Sequence, residues 1–171
     1  MKKVLALLTV VLAGYAACAQ SAQSVSDILA REAATYRDFA YLVASEHGMT
    51  IEPVEAFAWC ERFGSFPADV GPDTPITVRN ASHFFMSNYG LDGGLMWRLT
   101  KSPRYAWREL KHEEFWPAGT DPDEILSGAE MVRAIGRFFE TWPEAKLREP
   151  GVADAGRDGG TKPPADPEAK K

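Results

Sequence analysis

The sequence is poor in three features that often reveal a function: cysteine, positive charge and long apolar runs. Only two cysteines occur in 171 residues, so the fold must form without a disulfide framework. The formal net charge of −5 excludes nucleic acid as the expected partner, because its binders need a basic face. Sustained alternation of polar and apolar residues is also missing, which predicts that strands are absent or very short.

The longest apolar run, residues 4–13, follows two lysines and is typical of a secretory signal. It is too short to serve as a stable bilayer span. Two cleavage interpretations remain open. The motif A-C-A ending at Ala19 suits an ordinary signal peptidase, whereas Y-A-A-C ending at Cys18 resembles a bacterial lipobox in which Cys18 is lipidated. We favour lipidation at Cys18, with residues 1–17 as the signal peptide, and expect an exported protein of the periplasm or cell envelope.

The other end of the chain cannot build a core. Residues 150–171 contain four prolines, four glycines and no aromatic residue. Such a composition buries too little surface to offset the entropy of ordering, so we predict a disordered tail over residues 149–171. Residues 25–148 are left for one folded domain, in which Cys60 of FAWCERF is expected to be a buried core residue.

Three segments share one apolar stripe. They begin at Thr35 (TYRDFAYLVASEHGM), at Thr77 (TVRNASHFFMSNYGL) and at Ser127 (SGAEMVRAIGRFFE). At the spacing of a buried helix face they place Phe39, Leu42 and Val43; Ala81, Phe84 and Phe85; and Met131, Ala134 and Ile135. The first two segments lie 42 residues apart, which indicates an internal repeat of helices.

The starts and ends of these segments agree as well. A hydroxyl is followed three residues later by an acid or amide in Thr35/Asp38, Thr77/Asn80 and Ser127/Glu130, as in a capping box. Gly48 and Gly90 stand where a helix ends in a left-handed residue. Further helices are expected at residues 53–63 and 104–115, each leading through a Gly/Pro/Asp loop into a capped helix. The sequence therefore predicts an all-α bundle of about three helix-loop-helix repeats.

The loop and capped helix together resemble the S-layer homology repeat, a bacterial envelope module usually present in three copies. Its hallmark is F-x-P-D before I-T-R-A-E. Here FPAD, starting at Phe66, precedes P-I-T-V-R-N; T-Y-R-D is another copy, and D-P-D before L-S-G-A-E, ending at Glu130, is a degenerate third. The resemblance covers residues 25–142. The copies depart from the motif, since Asn80 replaces the acid and Ala129 replaces the arginine.

The resemblance implies a trefoil-like helical bundle and a non-enzymatic envelope protein with a structural or recognition role. The partner it implies is a cell-wall polysaccharide or an envelope protein, with a lipid membrane reached through Cys18 if that residue is acylated. The glycan-binding positions it carries over are Thr35, Arg37, Asp38, Thr77, Arg79, Asn80, Ser127 and Glu130. For Arg37 and Arg79 a second interpretation is favoured, in which each forms a salt bridge with a neighbouring repeat.

An enzymatic alternative also stays open. GGLMWRL followed by DPDEIL resembles the pattern of lytic transglycosylases, which would make Glu61 the proton donor on peptidoglycan. Against it, Trp97 stands where that family has glutamine. Cys60 lacks the setting of a nucleophile, and the acids around His112 and Asp121 lack metal-ligand spacing. We expect no catalytic residue, metal or cofactor.

Overall fold

The computed structural model describes residues 22–148; the predicted leader with Cys18 and the predicted tail lie outside them. The helices are α1 (22–29), α2 (Tyr36–Glu46), α3 (Pro53–Glu61), α4 (Val78–Asn88), α5 (Leu95–Thr100), α6 (Pro103–His112) and α7 (Gly128–Thr141). Over these residues the chain contains no strand, only two isolated bridges, Thr35 to Pro75 and Thr77 to Ile125. The predicted all-α bundle of repeats is confirmed.

The three capped helices α2, α4 and α7 form the centre of the bundle. All nine stripe residues predicted from the period of the sequence are buried. Phe39 meets Phe84 and Phe85 edge-on or tilted, and Phe85 stacks on Phe138 with ring centroids 4.3 Å apart. Burial of aromatic side chains across the three helices is what holds the repeats together.

The residues that precede the three N-caps are joined in a closed ring of backbone hydrogen bonds. The Ala34 N–H donates to the Leu126 carbonyl, the Leu126 N–H to the Ile76 carbonyl, and the Ile76 N–H to the Ala34 carbonyl. The N···O distances are 2.7, 3.1 and 2.9 Å. Each repeat donates once and accepts once, so the three repeats are arranged cyclically. Because these buried residues lie outside the helices, the ring also supplies hydrogen-bond partners for their backbone groups.

A second ring lies at the other end of the same helices. His47, Tyr89 and Phe139 occupy equivalent places, 42 residues apart and then 50. These three side chains form the aromatic ring: each packs on the other two, with centroids 5.7–5.9 Å apart. The His47 imidazole and the Tyr89 hydroxyl are hydrogen-bonded at 2.8 Å. The helices α2, α4 and α7 therefore run side by side in one direction, from the backbone ring to the aromatic ring.

Two of the central helices carry a partner helix: α3 packs on α2 and α6 packs on α4. Pro53 opens α3 at the predicted N1 position, whereas α6 begins at Pro103, one residue before the predicted start at 104. Equivalent residues of the first two repeats lie 42 apart in α2 and α4, but 50 apart in α3 and α6. The additional residues contain α5, which the sequence did not predict, and α1 was also missed.

The predicted capping boxes form in the first and third repeats only. Thr35 with Asp38, and Ser127 with Glu130, make both reciprocal bonds. The Thr77 side chain makes no cap hydrogen bond, so the capping box predicted for α4 was wrong. The cause is tertiary: the Asn80 amide donates to the Tyr36 hydroxyl of the first repeat at 2.7 Å instead of turning back. Gly48 and Gly90 do adopt the predicted positive φ, +70° and +65°.

Candidate functional site

Arg37 and Arg79, the arginines that the resemblance assigns to glycan, both face a neighbouring repeat. Arg37 pairs with Asp73 at 2.5 Å, and Arg79 pairs with Asp123 at 2.6 Å. The backbone N–H of each arginine also donates to the carbonyl of the proline that precedes the paired aspartate. The predicted salt bridges between neighbouring repeats are confirmed. They engage the guanidinium groups that would otherwise bind an acidic sugar.

The third junction is built differently. Ala129 stands at the arginine position of α7, and Arg31 stands where the other loops have aspartate. Arg31 turns to the capping carboxylate Asp38 at 3.2 Å. At this junction Gly128 N–H donates to the Arg31 carbonyl. The chain enters α7 without an ion pair of the Arg37 type, because both partners are replaced, the arginine by Ala129 and the aspartate by Arg31.

The eight predicted glycan positions are not brought together into one site. They occur at three separate junctions around the backbone ring. Thr35 and Asp38 are buried, and the Thr77 hydroxyl is buried without a hydrogen-bond partner. Ser127 and Glu130 lie at the surface. Of the eight, only Glu130 borders the groove described next.

This groove, the α7 groove, lies between the loop 115–126 and α7 and has a volume of about 310 Å³. Its lining residues are Val78, Phe115, Trp116, Pro117, Thr120, Glu124, Leu126, Glu130, Arg133, Ala134 and Arg137. The apolar members are aromatic or aliphatic, while two arginines and two glutamates border them. An apolar lining with a few polar groups is the usual form of a small-ligand site.

Specific hydrogen bonds hold the walls of the α7 groove. The Trp116 indole N–H donates to the Ser82 hydroxyl at 2.8 Å, which attaches this loop to α4. Arg137 Nη1 donates to the Phe115 carbonyl at 2.9 Å, and this bond attaches the loop to α7. The second repeat and the third are thus fastened together on both sides of the groove.

The charges along α7 are arranged by its cap. Hydrogen bonds from the Ser127 hydroxyl and backbone N–H lower the pKa of Glu130, and Arg133 nearby adds to the effect. Glu130 is therefore ionised at neutral pH, with Arg133 and Arg137 on the following two turns. The carboxylate can accept hydrogen bonds from hydroxyls, and the two guanidinium groups can donate to an anionic substituent.

The sequence analysis missed Arg133 and Arg137, and for Trp116 it favoured the core over a sugar-stacking role, although one signal for this junction was present. Trp116-Pro117-Ala118 repeats Phe66-Pro67-Ala68 fifty residues later, followed in both copies by Pro-Asp. In the earlier copy Phe66 fills its own junction by packing on Tyr36, at 4.9 Å between centroids. At the later junction Trp116 bonds to Ser82 instead, and Trp116 and Val78 both line the α7 groove.

A second groove of about 280 Å³ lies where α1 meets the starts of α2 and α3. Its charged members include Arg31, Arg37, Asp38 and Glu52. Both arginines are already ion-paired, Arg31 with Asp38 and Arg37 with Asp73. It therefore offers a ligand less charge than the α7 groove does.

The residues of the enzymatic alternative lack a catalytic setting. Glu61 is exposed at the last turn of α3, whereas a glutamic acid that donates a proton needs a raised pKa from burial. Burial raises the pKa of the Cys60 thiol to about 12, so it is not a nucleophile at neutral pH. The His83 ring nitrogens lie within hydrogen-bond distance of the Ser65 and Lys101 carbonyls.

Two further observations concern the described residues alone. Within 22–148, no cluster of three or more histidine, cysteine or acidic side chains could hold a metal ion. The same part of the chain has no helix with the length and apolar character needed to cross a bilayer.

Comparison with known proteins gives no relative from which to argue. No family model matches this chain, and no match is found among curated proteins or solved structures. The function must therefore be argued from the geometry of the chain itself.

Proposed function

We propose that this protein is an exported, non-enzymatic recognition module of the cell envelope, built from three S-layer-homology-like repeats, that binds an acidic wall polysaccharide in the α7 groove. The observation that carries the proposal is the combination in one groove of Trp116, Arg133, Arg137 and Glu130. Two guanidinium groups suit a carboxylate or other anionic substituent, and a carboxylate accepts from sugar hydroxyls.

The cyclic arrangement of the repeats supports the same reading. The backbone ring sets the three junctions around one axis, and two of the junctions carry open grooves. The exposed position of Glu61 and the high pKa of Cys60 argue for binding rather than catalysis. Arg133 and Arg137 replace Arg37 and Arg79 as the expected ligand contacts, because the latter two are already paired.

The test is sedimentation of the full chain with purified cell-wall material. Arg133→Ala/Arg137→Ala should weaken binding by about tenfold or more, because charge-assisted hydrogen bonds are lost. The matched control is Arg37→Ala/Arg79→Ala, which also removes two arginines but should retain binding. Thermal unfolding of each variant establishes that it folds.

Two results would overturn the assignment. Wild type that never sediments with wall material refutes the glycan function. Loss of binding in Arg37→Ala/Arg79→Ala alone would move the site to the ion-paired junctions that the resemblance indicates.

The envelope location rests on the leader and needs its own test. Cys18 is the proposed lipid anchor, which would hold the folded domain at a membrane. Metabolic labelling with a palmitate analogue should tag the wild type and leave Cys18→Ser untagged. An untagged wild type would exclude Cys18 as the anchor and favour release of the chain at Gln20.

A further inference from the structure

The segment 91–102, which contains α5, is an insertion of the second repeat relative to the first. The first repeat joins α2 to α3 through residues 47–52, whereas the second joins α4 to α6 through a longer connection. Within the insertion Trp97 is buried, and its ring lies 6.0 Å from that of His83. One anchored side chain thus holds an extra helix on the outside of the bundle.

The remaining apolar side chains of α5 face solvent. Leu95 is 72% exposed, Leu99 70% and Met96 44%. Residues 95 and 99 lie four apart and therefore share one side of the helix. Other exposed large apolar side chains, such as Val54 and Ile125, occur singly, so this is the one place among the described residues where three cluster on one helix.

The sequence around this apolar cluster is rich in cations. Between Gly94 and His112 the chain has five, Arg98, Lys101, Arg104, Arg108 and Lys111, against one carboxylate, Glu109. Residues 95–111 are therefore basic in a chain whose net charge is −5, although Asp92, Glu113 and Glu114 flank them. Arg31, Arg37 and Arg79 are each ion-paired, whereas within residues 22–148 Arg98, Arg104, Arg108 and Lys111 make no ion pair.

Members of both sets line one groove. Leu95 and Met96 of α5 lie there with six residues of α6: Tyr105, Trp107, Arg108, Glu109, Lys111 and His112. The Lys111 ammonium lies 4.7 Å from the Trp107 ring centroid, and Arg108 lies 5.8 Å from that of Tyr105. The Trp107 indole N–H is buried without a hydrogen-bond partner. Aliphatic tips, aromatic rings with a polar edge, and lysine or arginine stems are the side chains found at a bilayer interface.

We infer that the α5–α6 surface docks on an anionic lipid bilayer, with Leu95, Met96 and Leu99 entering the headgroup layer and the cations binding lipid phosphates. Charge complementarity selects an anionic partner, because the basic segment stands out from an acidic chain. The three aliphatic tips favour lipid over polysaccharide, since acyl chains bury them and sugars do not. This inference is independent of the α7 groove.

The test uses the full chain carrying Cys18→Ser, so that no acyl chain contributes. Its binding is measured to vesicles of phosphatidylcholine with and without a one-third share of phosphatidylglycerol. Leu95→Ser/Leu99→Ser should weaken binding to anionic vesicles by about tenfold. Arg104→Gln/Arg108→Gln/Lys111→Gln should weaken it by about a hundredfold and remove the preference for anionic lipid and the salt dependence.

The matched control is Val54→Ser/Arg62→Gln, which removes an exposed apolar side chain and an exposed cation from the α3 region. It should bind as the parent chain does, and any binding by the leader is common to all variants. The inference is overturned if neutral and anionic vesicles bind equally, or if the α5 and α6 variants bind like the control. It is also overturned if a soluble acidic polysaccharide saturates the same surface, or if the variants abolish self-association rather than vesicle binding.

Discussion

The first and third repeats begin with the same capping box in opposite surroundings. Asp38 and Glu130 occupy equivalent places, and each accepts from the hydroxyl and backbone N–H of its N-cap residue. Asp38 is only 3% exposed and is also paired with Arg31, whereas Glu130 lies at the surface. Identical local geometry can therefore contribute different free energies, because desolvation sets the cost of losing it.

The largest effect is expected at the N1 residue of α7. A Cβ at Gly128 would lie closer than 3.0 Å to the Ile28 carbonyl oxygen, whereas α2 and α4 have Tyr36 and Val78 at this place. Because backbone must move, Gly128→Ala should lower the free energy of unfolding by about 3 kcal/mol. Urea unfolding measures it.

Gly136→Ala in the same helix is the matched control for that prediction. A Cβ at Gly136 has open space, so this change should raise stability by about 0.5–1 kcal/mol through helix propensity. Equal effects at the two glycines would show that α1 does not approach the start of α7 as described.

The two capping carboxylates give the next largest contrast. Asp38→Ala leaves the buried Thr35 donors without their acceptor and removes the ion pair to the partly exposed Arg31, and should cost about 3 kcal/mol. Glu130→Ala removes the same bonds at the surface and should cost about 1 kcal/mol. Urea unfolding of both variants tests the comparison, and equal losses would mean that burial of Asp38 adds nothing.

The ion pairs between repeats should contribute less. In Arg37–Asp73 and Arg79–Asp123 the aspartates are exposed, and the arginine side chain is 27% accessible in the first pair but 46% in the second. Double-mutant cycles with alanine should give coupling energies of about 0.5 kcal/mol, larger for Arg37. Added salt should reduce both. A coupling energy as large as that of a buried ion pair would contradict the expectation that these pairs contribute less than Asp38 does.

The smallest effect is expected at the aromatic ring, where His47 occupies the place of Tyr89 and Phe139. Burial lowers the pKa of His47, and Glu46 offsets this in part. The folded state thus binds the proton less readily than the unfolded chain, so stability should fall as the pH drops through about 6.5. Because His47 is partly exposed, the loss should be a small fraction of the total.

His47→Phe should remove this acid sensitivity, since phenylalanine is already accommodated at the equivalent position 139. Urea unfolding at neutral pH and at pH about 5 measures the difference. A wild type whose stability rises on acidification would reverse the sign and refute the assignment to His47.

Much of the fold was predictable from local patterns. The stripes beginning at Phe39, Ala81 and Met131, the proline at 53 and the glycines at 48 and 90 all behave as predicted, because each depends on the helix in which it stands. α5 was missed, since its single buried anchor, Trp97, gives no repeating stripe. Thr77 and Asn80 have the letters of a cap, but their partner Tyr36 belongs to another repeat.

The sequence alone determined the three central helices, two of their caps and the repeat, because periodicity and capping act within a few residues. Only the tertiary structure decided that Asp38 is buried and Glu130 is not, that Arg37 and Arg79 pair with the next repeat, and that Arg133 and Arg137 border an open groove. These outcomes depend on which segments meet around the backbone ring, and spacing along the chain does not encode that meeting.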